Sequence, residues 1–338
     1  MPLAETARIA LVKLSSLGDV VHALPVAATL RAARPRAHLV WIAERREAAV
    51  LRGHPALDAV IVADTRGWRR ARRPATVRAA LADMRALRRR LQEERFDVAL
   101  DLQALIKSGV VALASGAPLR VGFAAGWSRE SLSAVFTNRR VQPPTSARHV
   151  IEQYLSLLPT LGVDERRLRF DLPAAPAAET AMEDWLSRAD LKPHGRLVIL
   201  NPGAGRAAKQ WPTAHFAEVA RRLGQDAGAQ VLVTWGPGEE ATARAIVDGT
   251  PAAVLAPATD LDALLALLRR ASVVVAADTG PLHMAAALGT PCVGLYGPTS
   301  ATRNGPYGAG HRTLTSPDGT MAALAPASVL AAVVEALG

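Results

Sequence analysis

Short apolar runs interleaved with helical patterns occupy the chain twice over, and this alternation limits the folds open to it. In the first half the runs are RIALVKL (8–14), HLVWIAE (38–44), AVIVAD (59–64), VALDLQ (98–103) and RVGF (120–123), with helical patterns at 19–33, 75–95 and 104–114. In the second half they are LVILNPG (197–203), AQVLVTW (229–235), AVLAP (253–257), VVVAAD (273–278) and CVGLYGP (292–298), with helices expected at 213–226, 238–248, 260–270, 281–288 and 326–337. Runs apolar on both faces belong to strands covered on both sides, and interleaved helices make the sheets parallel. A helical pattern over RHVIEQYLSLLPTLGV (148–163) leads into FDLPAAPAAE, rich in Pro and Ala, where we expect a boundary near residue 172. The reading is α/β, with two doubly wound Rossmann-like domains, 1–172 and 173–338. Facing each other across an interdomain cleft, they would bring strand C-termini and helix N-termini to a ligand.

No run of 18 or more apolar residues and no signal-peptide pattern occurs, so the expectation is a soluble intracellular protein without a spanning helix. The single cysteine, Cys292, excludes an internal disulfide and a cysteine metal site, and reads as a small buried hydrophobe. Net charge is +10, and the excess is confined to one half: residues 1–173 carry 28 Lys+Arg against 16 Asp+Glu, residues 174–338 carry 12 against 14. That asymmetry predicts an anionic partner for the first half: nucleic acid, an acidic membrane surface or an anionic substrate. Arginine is used nearly everywhere; the four lysines, Lys13, Lys107, Lys192 and Lys209, mark places where a compact ammonium is wanted.

Several motifs lie at strand-to-helix turns. In DTGPLHMAAALGTPCVGLYGPT (278–299), Pro281 suits a first helical turn, and Gly280 lets the backbone approach an anion held by exposed N–H groups. Asp278 is either part of that site or a helix cap, and His283 either reaches the anion or is structural. NPGAGRAAKQWP (201–212) imitates a dinucleotide fingerprint, but Trp211-Pro212-Thr213 delays the helix. The loop then serves to carry Lys209 to a phosphate, with Gly203 and Gly205 allowing close approach. In WGPGEE (235–240), Glu239 and Glu240 begin a helix, as dipole partners or as ligands of ribose. Asp260-Leu261-Asp262 fits a D-x-D metal pattern and, more simply, a cap. RGWRRARRP (66–74) packs five arginines into eight residues, suited to carboxylate and phosphate, with no nucleic-acid motif beside it. In KLSSLGDVVHALP, Asp19 follows a strand and opens a helix, as cap or as catalyst.

SSLGDVVHALP, DLQALIKSG, RESLSAVF, NPGAG…KQWP, WGPGEE and the 278–299 segment, in this order over nearly the whole chain, resemble glycosyltransferase family 9, the bacterial lipopolysaccharide heptosyltransferases. DLQALIKS and RESLSAVF are most similar to the type I branch, which adds the first heptose to the Kdo of Kdo-lipid A. NPGAG is similar to type II and broader members, where type I enzymes often carry Thr-Thr. The resemblance implies a GT-B fold and an inverting, metal-independent transfer without a cofactor, from ADP-heptose held mainly by the C-terminal domain. Asp19 would be the catalytic base, Lys209 would meet the donor's phosphates and Glu240 its ribose. Gly203, Gly205, Asp278, Thr279, Gly280 and His283 would line the donor site. Gly18, Arg66, Arg69, Arg70, Arg72, Arg73, Lys107 and Arg129 would face the anionic acceptor. The arginines would also hold a cytoplasmic protein peripherally on the anionic inner leaflet, and nucleic acid is not expected as a partner. A type II enzyme or another family 9 nucleotide-sugar transferase is the alternative; an NAD-dependent oxidoreductase and a non-enzymatic anion-binding protein are the remote ones.

Overall fold

The two alternating series form two six-stranded sheets, parallel at every strand pair. The computed structural model describes residues 3–191 and 195–338, so Lys192 lies outside the described residues. The chain divides into two units, Met1–Pro173 and Ala174–Gly338.

In the first unit β1 (Arg8–Val12), β2 (His38–Ala43), β3 (Ala59–Val62), β4 (Val98–Asp101), β5 (Leu119–Phe123) and β6 (Arg139–Val141) lie in the order β3-β2-β1-β4-β5-β6. Its helices are α1 (Leu17–Ala33), α2 (Thr65–Arg70), α3 (Pro74–Glu93), α4 (Ile106–Ala114) and α5 (Val150–Leu155). In the second unit β7 (Leu197–Asn201), β8 (Gln230–Val233), β9 (Ala253–Leu255), β10 (Val273–Ala277), β11 (Cys292–Tyr296) and β12 (Arg312–Thr315) take the order β12-β11-β10-β7-β8-β9. Around them stand α6 (Pro176–Arg188), α7 (Thr213–Ala227), α8 (Glu240–Val247), α9 (Leu261–Arg270), α10 (Gly280–Ala287), α11 (Ala301–Asn304) and α12 (Pro326–Ala336). Each unit therefore starts at the middle of its sheet, winds outward, then crosses to the other side. The reversal falls between β1 and β4 in one unit and between β7 and β10 in the other, and ligands of such sheets bind beyond the strand C-termini there.

Each sheet has its own core. Val12, Val40, Ile61, Leu91, Phe96 and Val111 cluster in the first; Val198, Phe216, Val231, Val275, Val293 and Val329 belong to the second. β1 and β10 are buried almost throughout, which is why both read as continuous apolar runs.

Several elements depart from the sequence-based expectation, each for a local reason. The edge strands β6 (RRV) and β12 (RTLT) are short and carry charge; β6 exposes Arg139 and Arg140 in a row and β12 exposes alternate residues, so neither shows an apolar run. The helix expected over 148–163 stops at Leu155; a 3-10 turn, Leu158–Leu161, carries Pro159, and Gly162 at φ 70° ends it. α2 forms inside the arginine-rich stretch because Asp64 caps it, accepting from the Gly67 N–H at 2.8 Å. α6 rises from the Pro- and Ala-rich segment, with Pro176 in its first turn.

Candidate active site

In the second unit the loops after β7 and β10 emerge side by side at the reversal point, and they bring Lys209 to Asp278. Lys209 Nζ donates to Asp278 Oδ2 at 2.7 Å and to the Asp278 carbonyl at 3.0 Å. The other carboxylate oxygen, Oδ1, lies 2.9 Å from His283 Nε2. Asp278 is 9% exposed and His283 5%. Burial alone would raise the Asp278 pKa, but the hydrogen bonds and charges of His283 and Lys209 hold it well below the usual carboxylate range. The simple cap reading of Asp278 fails, because the N-cap of α10 is Thr279, with extended backbone (φ −139°, ψ 169°). Pro281 sits in the first turn as expected, so the first N–H groups of α10 open beside the Lys209–Asp278–His283 cluster.

The Lys209 loop is anchored by the next residues but one. The Trp211 indole is buried against Phe216, with centroids 4.8 Å apart, and donates to the Leu324 carbonyl at 3.0 Å. α7 begins only at Thr213, after a 3-10 turn at Ala207–Lys209, so the glycines do not open a helix and the dinucleotide reading fails on geometry. Gly203 is required by packing: a Cβ there would collide with the Glu239 carboxylate, whose Oε2 accepts from the Gly236 N–H at 2.9 Å. Gly205 is exposed in open space. Glu240 faces outward and pairs with Arg244 one turn on, at 2.6 Å. Of the two glutamates, Glu239 therefore lies against the β7 loop, and spacing alone could not tell them apart. Asp260 caps α9, accepting from the Ala263 N–H at 2.8 Å, which is the simpler of its two readings.

In the first unit the β1–α1 turn holds Asp19. Ser16 is the N-cap of α1 and Asp19 is its N3 residue. Asp19 Oδ2 accepts from the Ser16 N–H at 3.1 Å and from Ser16 Oγ at 2.6 Å, while Oδ1 stands 3.9 Å from Lys13 Nζ. Asp19 is thus a cap by construction, yet its side chain keeps 33% exposure. Gly18 is buried beside it in the same turn. Lys13, 3% exposed, donates to the Tyr154 hydroxyl at 2.7 Å. Burial opposes its charge, but Tyr154 and Asp19 outweigh that and raise its pKa above the ordinary lysine value.

The loop after β4 meets the same turn. Gln103 Oε1 accepts from the Leu14 N–H at 2.7 Å, and Asp101 accepts from the N–H groups of Gln103 and Ala104 at 3.0 and 3.1 Å. Burial raises the Asp101 pKa despite those bonds. Lys107 reaches back from α4 to Ser15 Oγ at 3.1 Å and to the buried Glu44 at 3.3 Å. Sequence reading missed Gln103, Glu44 and Tyr154. Glu44 ends an apolar strand, a signal that was legible; Tyr154 lies 141 residues from its partner Lys13 and gave none.

The arginines separate into two kinds. Arg66 makes a two-pronged pair with Glu47 at 2.6 and 3.0 Å, and Glu47 is 2% exposed, so Arg66 is a structural partner. Arg69, Arg70, Arg72 and Arg73 project into solvent from the end of α2 and the turn before α3. Arg129 is also exposed, next to Glu130, whose carboxylate accepts from the Ile106 N–H at the start of α4.

Comparison with known proteins follows the same lines. Residues 84–330 match glycosyltransferase family 9 (heptosyltransferase). Lipopolysaccharide heptosyltransferase 1 of Salmonella typhimurium is 30% identical over 323 residues, covering 95% of this chain and 98% of its own. Lipopolysaccharide heptosyltransferase 2 of Escherichia coli K12 is 28% identical over 241 residues, 65% of each chain. The structure of E. coli heptosyltransferase WaaC with ADP gives a TM-score of 0.82 at 28% identity, covering 97% of this chain and 99% of its own. Its complex with ADP-2-deoxy-2-fluoro heptose, 27% identical with the same coverage, gives 0.80. The two parallel sheets with flanking helices are those of a GT-B enzyme. With sequence, fold and loop geometry in agreement, the chain belongs to glycosyltransferase family 9, the heptosyltransferases.

Proposed function

We propose that this enzyme is an inverting heptosyltransferase of type I, moving L-glycero-D-manno-heptose from ADP-heptose to the Kdo of the lipopolysaccharide inner core. It would work at the cytoplasmic face of the inner membrane, without a metal or cofactor. The observation that carries the type is coverage: a type 1 relative aligns over 98% of its own length, a type 2 relative over 65%. The Gly-rich loop at 203–205 favours type II as the second reading.

In this reading the C-terminal unit, 174–338, holds the donor and the N-terminal unit, 1–173, supplies acceptor contacts and the base. An acceptor hydroxyl oxygen attacks C1 of the heptose from the face opposite the diphosphate. The C1–O bond to the β-phosphate breaks, ADP leaves with the electron pair, and Asp19 takes the hydroxyl proton. Negative charge grows on the leaving diphosphate. Lys209 and the N–H groups at the start of α10 supply the opposing field. A lysine has three N–H donors; two go to Asp278 at 2.7 and 3.0 Å, which leaves the third for a phosphate oxygen. Thr279, Gly280 and His283 flank that position. Glu239, rather than Glu240, is the carboxylate we assign to the ribose, because it lies against the β7 loop.

Transfer from ADP-heptose to Kdo-lipid A, compared with heptosyl-Kdo-lipid A, tests the assignment. Type I is supported by product on the first acceptor alone; turnover only on the second makes the enzyme type II. The exposed arginines carry a separate expectation. Arg69→Ala with Arg70→Ala should raise the KM for the acceptor by roughly tenfold and flatten its salt dependence, while ADP affinity stays put. Unchanged acceptor kinetics would remove these arginines from the site.

A further inference from the structure

Eight of the eleven exposed large hydrophobic side chains among the described residues fall on three neighbouring elements of the first unit. α3 exposes Val77, Leu81 and Met84, at 39, 44 and 39%. Their i, i+4, i+7 spacing puts them on one helical face. α4 repeats the spacing with Ile106, Val110 and Leu113, at 39, 47 and 49%. The 3-10 turn Ser131–Phe136 adds Leu132 and Val135, the most exposed of all at 67 and 64%. α4 packs against both α3 and this turn, and Gly109 lets Phe136 seat so closely that a Cβ there would meet its ring at 2.6 Å. Contiguous apolar surface of this kind marks an interface.

The border of the face identifies what covers it. Residues 66–93 carry ten arginines against two acidic residues, and α3 buries only Ala80 and Leu91 of its twenty residues. Arg85 and Arg88 follow Val77, Leu81 and Met84 along α3, and both are exposed. An amphipathic helix with an apolar stripe edged by arginine suits the headgroup boundary of an anionic bilayer, where stems enter and guanidinium groups stay at the phosphates.

We propose that α3, α4 and the 131–136 turn form the membrane-docking face of the enzyme, with anionic phospholipid as its partner. The proposal rests on the reading above of a lipid-borne acceptor, and it gives that reading a geometry. α4 carries Ile106 outward and Lys107 inward to Ser15, beside the Asp19 turn, so the docking face borders the acceptor contacts.

Co-sedimentation of the full chain with vesicles containing phosphatidylglycerol, against phosphatidylcholine alone, tests it. We expect partition into the anionic vesicles and little into the neutral ones. Leu132→Glu with Val135→Glu should lower partition by at least about tenfold, since the two side chains lose their insertion. Arg85→Gln with Arg88→Gln should lower it by about fivefold per residue. Leu168→Glu, exposed at 49% but off this face, should bind as the parent does. Melting temperatures equal to the parent's establish that the variants fold. Equal binding to both vesicle types, or full binding by both double variants, overturns the proposal. So does a parent dimer that Leu132→Glu with Val135→Glu makes monomeric without loss of vesicle binding, which would make the face a contact between copies. Transfer to a soluble deacylated acceptor stands apart from this assay. A failed vesicle result therefore leaves the type I reading intact, and a failed acceptor test leaves the docking face intact.

Discussion

Asp19→Asn is expected to lower kcat by about 10²–10⁴-fold while ADP binds as tightly as before. Asparagine has the shape of aspartate and can still accept from the Ser16 N–H and hydroxyl, now 3.1 and 2.6 Å from Asp19 Oδ2, so the start of α1 should survive. What the amide cannot do is take a proton. The groups assigned to the donor belong to the other unit, so ADP affinity should not move. Single-turnover transfer and ADP calorimetry on the same preparation separate the two effects. A variant that keeps more than about a tenth of the rate would show that Asp19 is only the cap. Asp19 lies among two Ser16 donors, with the buried Lys13 ammonium 3.9 Å away, and Lys13 Nζ also donates to the Tyr154 hydroxyl at 2.7 Å.

The second large effect should come from Asp278→Ala. It removes the common partner of Lys209 and His283 and strands an ammonium that is only 20% exposed. Breaking a buried pair from one side costs about 3–5 kcal/mol, and the partial exposure of Lys209 puts this case at the low end, about 3 kcal/mol. For a unit of this size that lowers the melting temperature by roughly 10 °C. Differential scanning calorimetry reads it, and a shift of less than about 2 °C would show the cluster to be structurally idle. The parent carries a matching pH signature. The folded-state pKa of Asp278 is depressed, so its contribution to stability is whole above the unfolded value, near 4. It is lost as pH falls from there toward the folded value. The melting temperatures of parent and Asp278→Ala should therefore converge progressively below about pH 4; a constant gap would deny the linkage.

Much of the molecule was legible because parallel, doubly covered strands have a distinctive signature. VVVAA is apolar at every position and RIALV at every position after Arg8, and no half-exposed strand could be. The positions of Asp19, Lys107 and Asp278 were legible for a related reason: each stands just past a strand end or in the first turn of a helix, where such sheets put their ligands, while Lys209 stands in the loop between β7 and α7. The ion pair of Arg66 was not legible, since in sequence it is one more arginine in RGWRRARRP, and only the fold brings Glu47 under it. Glu239 and Glu240 are adjacent and chemically alike; which one lies on Gly203 depends on how the turn at Gly236 folds.

The amino-acid order alone determined the class of fold, the two series of strands, the location of the loops that carry chemistry and the family. All of these are periodicities or short motifs, and local spacing encodes them. Only the tertiary structure decided which of the candidate groups have partners: Lys209 with Asp278 across 69 residues, Lys13 with Tyr154 across 141, and Lys107 with Glu44 across 63. It also decided which apolar residues remain outside, because α3 and α4 have the same periodicity as any packed helix. Burial is a property of what lies opposite a face, and a periodic pattern names the face but not its partner.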